Sequence, residues 1–576
     1  MPPNTIERHL HELSTILDSD SSNRPISRGL TPLNQVVSAQ KPGPGSHKAA
    51  GRSSDGGIRL ETPLERPWVP ARPGLSLILA TTACINLLPF VALLGFSLSG
   101  DGNLLSIGTD GAEQFSNTVF LVLFVGMGVA VLGTAIGWLT ASCRFPGRPL
   151  LTFGQLLPLA TPAYLQAAVL LDLGSREGTQ IYGLGWCVAV LTLANLPYVV
   201  LLTRDSFRLS GRRQLEAARS LGLGPWRSFL RVSLPMAIPA VAAGVALTGM
   251  EVINEFGAVE LLSLPTLSTG LLERWQGEDD PQGAVALALM ALMVVAVLII
   301  AERWQRRRSR RWDMGGPTDS VEGWDLQGWR ALSAQLLCLI PPCISLGLPL
   351  VWLLRSLDQL RNESLTELLT LSTHSLTLAL LGAVIATSMA VIFSIGNRWT
   401  APGVLKRLMF TASLGYAVPG TVLAIAMLLL FAPLGVPPML LLLFGYGNRF
   451  IAVAKGGLDA GLERLPPSVE EAATSLGEKW PGILRRIHLP LLRSPMILGG
   501  LLIFVDTVKE LPLTFALRPF DFDTLAVRVF QYAGDERLGA AIAPALLIML
   551  LGLAATVLLV PRLGNGSAGE SSTLAG

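Results

Sequence analysis

Charge is scarce in this chain. Lys, Arg, Asp and Glu make up 15% of its 576 residues, against roughly 25% in a typical soluble domain. A water-facing surface needs more than this. What charge there is lies in clusters between long apolar runs, as a lipid-facing surface requires. The formal net charge is only +3, so no bulk electrostatic attraction to nucleic acid is expected. The five cysteines (Cys84, Cys143, Cys187, Cys338 and Cys343) contain no CxxC pair and read as small buried hydrophobes. The five histidines (His9, His11, His47, His374 and His488) are scattered, which argues against a preformed His/Cys metal site. The phosphate-binding pattern GxxxxGK[ST] is also missing: SLGEKW from Ser475 lacks the glycine spacing. ATP hydrolysis by the usual P-loop route is therefore not expected, and the chain is not read as an enzyme.

What the chain does have is apolar length, with a mean hydropathy of +0.51. Runs of spanning size fall near 75–98, 117–141, 150–173, 181–203, 237–262 and 282–300, and again near 331–355, 374–395, 408–432, 436–456, 491–513 and 538–560. A membrane span needs about 20 apolar residues. The expected fold is an all-α polytopic transmembrane bundle of about 12 spans, two six-helix halves over residues 67–300 and 331–562. A basic cytoplasmic linker, 301–330, joins them. Residues 1–66 are polar and rich in Pro, Ser and Gly, and read with 563–576 as disordered cytoplasmic tails. No apolar run lies within the first 30 or so residues, so no cleaved signal peptide is expected.

Arginine placement orients the bundle. Arg204, Arg208, Arg212, Arg213, Arg219, Arg227 and Arg231 crowd the loop between the fourth and fifth spans, and Arg303 to Arg311 the linker. Lys455, Arg464, Lys479, Arg485 and Arg486 occupy the loop between the tenth and eleventh. With an even count in each half all three are cytoplasmic, while GEDDP from Gly277 and the acids Asp101, Asp110 and Glu113 lie opposite.

Two of these loops repeat one another. EAARSLGLGPWRSFLRVSLP, Glu216–Pro235, and EAATSLGEKWPGILRRIHLP, Glu471–Pro490, align without a gap at an offset of 255 residues. Each spells a short helix ended by a glycine able to take positive φ, Gly222 or Gly477. A second short helix follows, then a proline, Pro235 or Pro490, where a new helix can begin. One such segment can be an amphipathic helix lying on lipid; two at equivalent topological places require another explanation.

These segments resemble the EAA signature of binding-protein-dependent ABC importer permeases. The resemblance covers the chain from about Leu75 to Val560 and implies that each segment is a coupling helix seated in a cleft of a separate ATPase. The matching residues are Glu216, Ala217, Ala218, Gly222, Leu234 and Pro235, and Glu471, Ala472, Ala473, Gly477, Leu489 and Pro490. It further implies two copies of the ATPase holding ATP and Mg, a periplasmic solute-binding protein, no cofactor on this chain, and a bacterial inner-membrane location with both termini cytoplasmic. The stretch from Phe504 is similar to the ferric iron permease subfamily, and so is EVINEFGAVELL from Glu251, with EVINEFG departing from the usual METLADFG. Ferric iron is the first expectation for cargo; thiamine or a phosphonate are the alternatives, and a secondary transporter the rival class.

Ionisable residues also enter the apolar core. Glu251, Glu255, Asp506, Lys509 and Glu510 sit at the ends of the fifth and eleventh spans, where charge is costly and faces a protein interior or an aqueous path. Glu251 matches Asp506 and Glu255 matches Glu510 at the same offset of 255. A spacing of four places each pair on one helix face. They line a candidate translocation path whose oxygens suit a hard cation, or they hold the halves together by ion pairs and helix-end hydrogen bonds.

Overall fold

The computed structural model describes residues 73–99, 108–209, 218, 220–309, 324–359, 364–399 and 403–564. The tail at 1–66, most of the linker, Asp101, Glu216 and Ala217 lie outside the described residues, as does the expected tail at 563–576 apart from its first two residues, which continue the last helix. The first half holds α1 (Pro73–Ser99), α2 (Gly108–Ser142), α3 (Arg148–Gly154), α4 (Ala163–Arg176), α5 (Leu184–Leu209), α6 (Leu234–Asn254) and α7 (Pro281–Ser309). The second holds α8 (Trp329–Arg355), α9 (Leu365–Trp399), α10 (Val404–Ala412), α11 (Gly420–Phe431), α12 (Pro438–Glu463), α13 (Pro467–Ser475), α14 (Leu489–Val508), α15 (Leu525–Gly534) and α16 (Ile542–Gly564). The protein is a polytopic helical membrane protein, and element order repeats from one half to the other. Among the described residues the only strands are β1 (Cys143–Arg144) and β2 (Trp324–Asp325), a parallel two-residue pair that fastens the end of the linker to the base of α2.

Among the described residues eight helices are long and apolar enough to cross a membrane singly. The expected even set of twelve is modified where proline intervenes. The third expected span is a helix pair bent by 86° between Ala160 and Ala163. The ninth is divided into α10, a short turn at Gly415–Ala417, and α11. Pro162 (φ −59°, ψ 148°) and Pro419 (φ −56°, ψ 138°) stand at the two breaks. A proline ring has no N–H to give and collides with the carbonyl four residues back, so the helix stops before it and restarts after it. The tenth, α12, carries Arg449, Lys455 and Asp459 within its length, and the apolar stretch of the twelfth, Ile542–Ala554, is short.

Helices meet through small residues, because lipid supplies no hydrophobic drive between them. A Cβ on Gly133 would stand 2.7 Å from Val199, and one on Gly137 would stand 2.2 Å from the Thr203 hydroxyl, so α2 and α5 approach closely there. Thr203 Oγ1 also donates to the Gly133 carbonyl at 3.3 Å.

The first helix of each half packs on the other half. Leu79 and Ala83 of α1 are buried with Phe393, Met409, Leu423 and Met427, and Asn448 Nδ2 of α12 donates to the Asn86 carbonyl at 2.8 Å. Reciprocally, α8 is held by α3 and α4. Gln155 Nε2 donates to the Cys338 carbonyl at 2.5 Å, and Trp352 Nε1 donates to Asp172 Oδ2 at 2.8 Å.

Candidate functional site

Four helix breaks converge on one cavity of about 120 Å³. Two are the proline breaks at Pro158–Pro162 and Tyr416–Pro419. The other two end α6 and α14, where Glu255 leaves the helix with extended ψ (125°) and Pro512 follows the Lys509–Leu511 turn. Irregular backbone at membrane depth is tolerated where it lines a cavity. Broken helices also aim their ends at a midplane site. Pro158, Leu159, Tyr164, Asn195 and Tyr198 line one wall of this cavity, and Tyr416 and Arg449 the other.

The structure brings all five of the predicted path residues to this cavity. It does not keep each carboxylate pair on one helix face. Gly257 and Pro512 begin new short helices, Gly257–Leu261 and Pro512–Leu517. Glu255 and Glu510 therefore turn to cap them. Ala258 N–H donates to Glu255 Oε1 at 2.9 Å, while Leu513 N–H and Thr514 N–H donate to the two Glu510 oxygens at 2.8 and 2.9 Å. A carboxylate at a helix N-terminus satisfies orphan donors and opposes the positive end of the dipole. Asp506 pairs with Lys509 at 3.1 Å, and Glu251 accepts from the Tyr416 hydroxyl of the other half. All four carboxylates thus have a protein partner, and no group of three or more His, Cys, Asp or Glu able to hold a metal occurs among the described residues.

Sequence reasoning passed over Tyr416, Asn254 and Arg449, which close the cavity across the halves. Asn254 Oδ1 accepts from Gly420 N–H at 2.6 Å and from Arg449 Nη1 at 2.9 Å. Arg449 is 5% exposed and its Nε has no partner. The signal was readable: PMLLLLFGYGNRFIAVAK, from Pro438, is an apolar run with an arginine inside it.

The two repeated segments have matching geometry. Gly222 has φ +74° and Gly477 has φ +84°. Leu223 N–H donates to the Ala218 carbonyl and Glu478 N–H to the Ala473 carbonyl, both at 3.0 Å, and Gly477 N–H donates to the Thr474 carbonyl at 3.0 Å. This is the Schellman closure of a helix end, which needs a left-handed residue at the glycine. Ala218 and Ala473 are buried beneath the turn, whereas Leu221 and Leu476 at its tip are 81% and 86% exposed. Glu471 and Ala472 are exposed on α13. The α-helices α6 and α14 begin at the prolines as expected, with Pro235 and Pro490 in their first turn, but no break separates them from the short helix before. Trp226–Asn254 and Trp480–Val508 are each continuous, with a π turn at Phe229–Ser233 and Leu484–His488 just before Leu234–Pro235 and Leu489–Pro490. The widened turn accommodates the proline ring, so the segment and the span that follows form one rod.

The chain is similar to known transport proteins. Residues 133–314 match the family described as the binding-protein-dependent transport system inner membrane component. The Fe(3+)-transport system permease protein FbpB 2 of Haemophilus influenzae is 25% identical over 452 residues, covering 76% of this chain and 88% of that relative. The sulfate transport system permease protein CysT of Escherichia coli is 31% identical over 201 residues, 31% of this chain and 72% of the relative. The molybdenum transport system permease protein ModB of Escherichia coli is 28% identical over 199 residues, 31% of this chain and 86% of the relative. Paired glycine-closed turns, rods leading from them to a cavity at four helix breaks, and these relatives converge: the chain belongs to the inner-membrane permease family of binding-protein-dependent ABC importers.

Proposed function

We propose that this chain is the two-half permease of an importer for ferric iron, delivered by a periplasmic binding protein. The observation that carries the cargo is the alignment with an Fe(3+)-transport permease along both halves, 452 residues. The four carboxylates at the cavity, with two cations beside them, give a wall that passes a hard cation without holding it in a chelating cage. A substrate has to leave as well as enter, so partnered carboxylates suit a conduit.

Each coupling segment seats one copy of a separate ATPase, which holds ATP and Mg. The exposed Leu221 and Leu476 support this, standing at equivalent tips with their burial left to a partner. Closure of the two ATPase copies draws the segments together. The rods Trp226–Asn254 and Trp480–Val508 tilt, and the cross-half bonds of Asn254 and Glu251 part, opening the cavity to the outer face. Both termini lie in the cytoplasm and the chain resides in the bacterial inner membrane. A second reading, an oxyanion cargo, rests on Arg449 and Lys509 at the cavity and on the relatives named for sulfate and molybdenum.

The test is uptake into proteoliposomes containing the chain, its ATPase and its binding protein, with radiolabelled Fe³⁺, sulfate, molybdate and thiamine in parallel. ATP-dependent iron uptake supports the reading. Uptake of one of the others without iron discards ferric iron and keeps the permease.

A further inference from the structure

Among the described residues the two coupling segments share the glycine-closed turn and differ in the side chains packed behind it. Arg398, at the cytoplasmic end of α9, is 8% exposed. Its Nη1 donates to the Leu462 carbonyl at 2.6 Å and its Nη2 to the Leu465 carbonyl at 2.8 Å, so one cation closes the C-terminal end of α12. Its Nε donates to Glu470 Oε1 at 2.5 Å. The same carboxylate oxygen lies 2.7 Å from His488 Nε2. His488 is fully buried in the π turn that leads into α14, with its ring 4.9 Å from that of Trp399. Arginine, carboxylate and imidazole thus join α9, α12, α13 and α14 in a single chain of hydrogen bonds.

The gap-free offset of 255 residues puts Leu215 opposite Glu470 and Ser233 opposite His488. The first half therefore has neither the acid nor the histidine. Its matching turn is packed by rings: Phe229 lies 4.8 Å from Trp138 and 5.7 Å from Trp226. Ring packing allows sliding, whereas a charged fork fixes direction and register.

We propose that Glu470 is the positioning residue that ties the second coupling segment to its membrane helices, so that the second segment drives the cavity while the first follows more loosely. From His488 the rod runs 18 residues to Asp506 at the cavity, about 27 Å of helix at 1.5 Å per residue. A displacement of α13 reaches the cavity wall only if the rod is held at its base. This inference rests on the permease reading above and not on the identity of the cargo.

The experiment uses the assembled transporter in liposomes with ATPase and iron-loaded binding protein. Glu470→Ala, His488→Leu and His488→Gln are compared with wild type. Glutamine keeps an N–H donor for Glu470, and leucine removes it. Three quantities are read: ATPase retained on co-purification, iron moved per ATP hydrolysed, and the ATP-dependent change in hydrogen exchange over 489–508. Glu470→Ala and His488→Leu are expected to keep the ATPase bound and hydrolysing while iron per ATP falls about tenfold and the exchange response shrinks. His488→Gln is expected to restore both. Wild-type iron per ATP and exchange response in Glu470→Ala overturn the proposal, as does a loss that tracks ATPase release alone. Should Glu470→Ala not fold, the His488→Leu and His488→Gln pair decides by the same readouts. A wild-type complex that moves no iron yet shows the exchange response discards the cargo and leaves the tie standing.

Discussion

Gly477→Ala isolates the contribution of one backbone angle to coupling. Gly477 has φ +84°, and a Cβ built there meets nothing within 4 Å. The substitution therefore creates no clash and removes no contact. Its cost is that of holding an L-residue in the left-handed region, about 1–2 kcal/mol. That is a factor of roughly 5–30 in the population of the closed turn. Opening it releases Glu478 N–H from the Ala473 carbonyl and Gly477 N–H from the Thr474 carbonyl, both at 3.0 Å. The tip carrying Leu476 then loses its fixed place above α13. The assay is ATP-driven cargo uptake, together with ATP hydrolysis stimulated by the loaded binding protein. Gly477→Ala is expected to lower stimulated turnover within that range, and Gly477→Asn by less, since asparagine visits the left-handed region more readily. Gly222→Ala is expected to act in the same direction, because Gly222 has φ +74° with equal free space. Wild-type uptake in Gly477→Ala, or equal losses for alanine and asparagine, would refute the argument that the positive φ is what matters.

Replacing Asn254 by Leu removes the acceptor of Gly420 N–H and Arg449 Nη1. Each buried donor left unmet costs about 1–3 kcal/mol, so ATP hydrolysis without binding protein is expected to rise as the closed cavity loses its cross-half bonds; an unchanged basal rate counts against the latch. Neutralising Glu251, Glu255, Asp506 and Glu510 together is expected to abolish uptake, and full transport in that variant sinks the path reading. Burial alone would raise the Glu470 carboxyl, but hydrogen bonds from His488 and Arg398 outweigh it and bring the group below the usual carboxylate value. The stability this gives is present above the unfolded value, about pH 4.3, and is lost as pH falls through the lowered folded value. Thermal midpoints of wild type and Glu470→Gln should therefore differ at pH 7 and converge at acid pH; a constant gap would contradict the sign.

The repeat, the glycine turns and the depth of the acids were legible because each rests on local chemistry. A positive-φ glycine after EAA-x-SL needs only its neighbours, and Schellman closure at Gly222 and Gly477 follows from chain geometry. The helix breaks were written in Pro162, Pro419 and Pro512, yet hydropathy averages over them: a window of spanning length does not register one missing N–H. The cross-half pairings at the cavity were not legible at all. Glu251 meets Tyr416 across 165 residues and Asn254 meets Arg449 across 195. Such pairings are set by how the two halves face each other, which no local pattern encodes. The same applies to Arg398 and Glu470, 72 residues apart.

The exchanged first helices impose a schedule on biosynthesis. α1 begins at Pro73 and packs with α10 and α11, which begin at Val404 and Gly420. About 330 residues separate the helix from its seat, and at roughly 5–20 residues per second the ribosome takes some 17–66 s to supply it. Through that interval α1 stands in the bilayer with Leu79 and Ala83 unseated. α8 meets no such delay, since α3 and α4 precede it and are waiting when it emerges. The second half can thus begin on a finished template while the first waits to be completed. A chain cut in the linker would leave the first half's opening helix without its place until the other piece arrived.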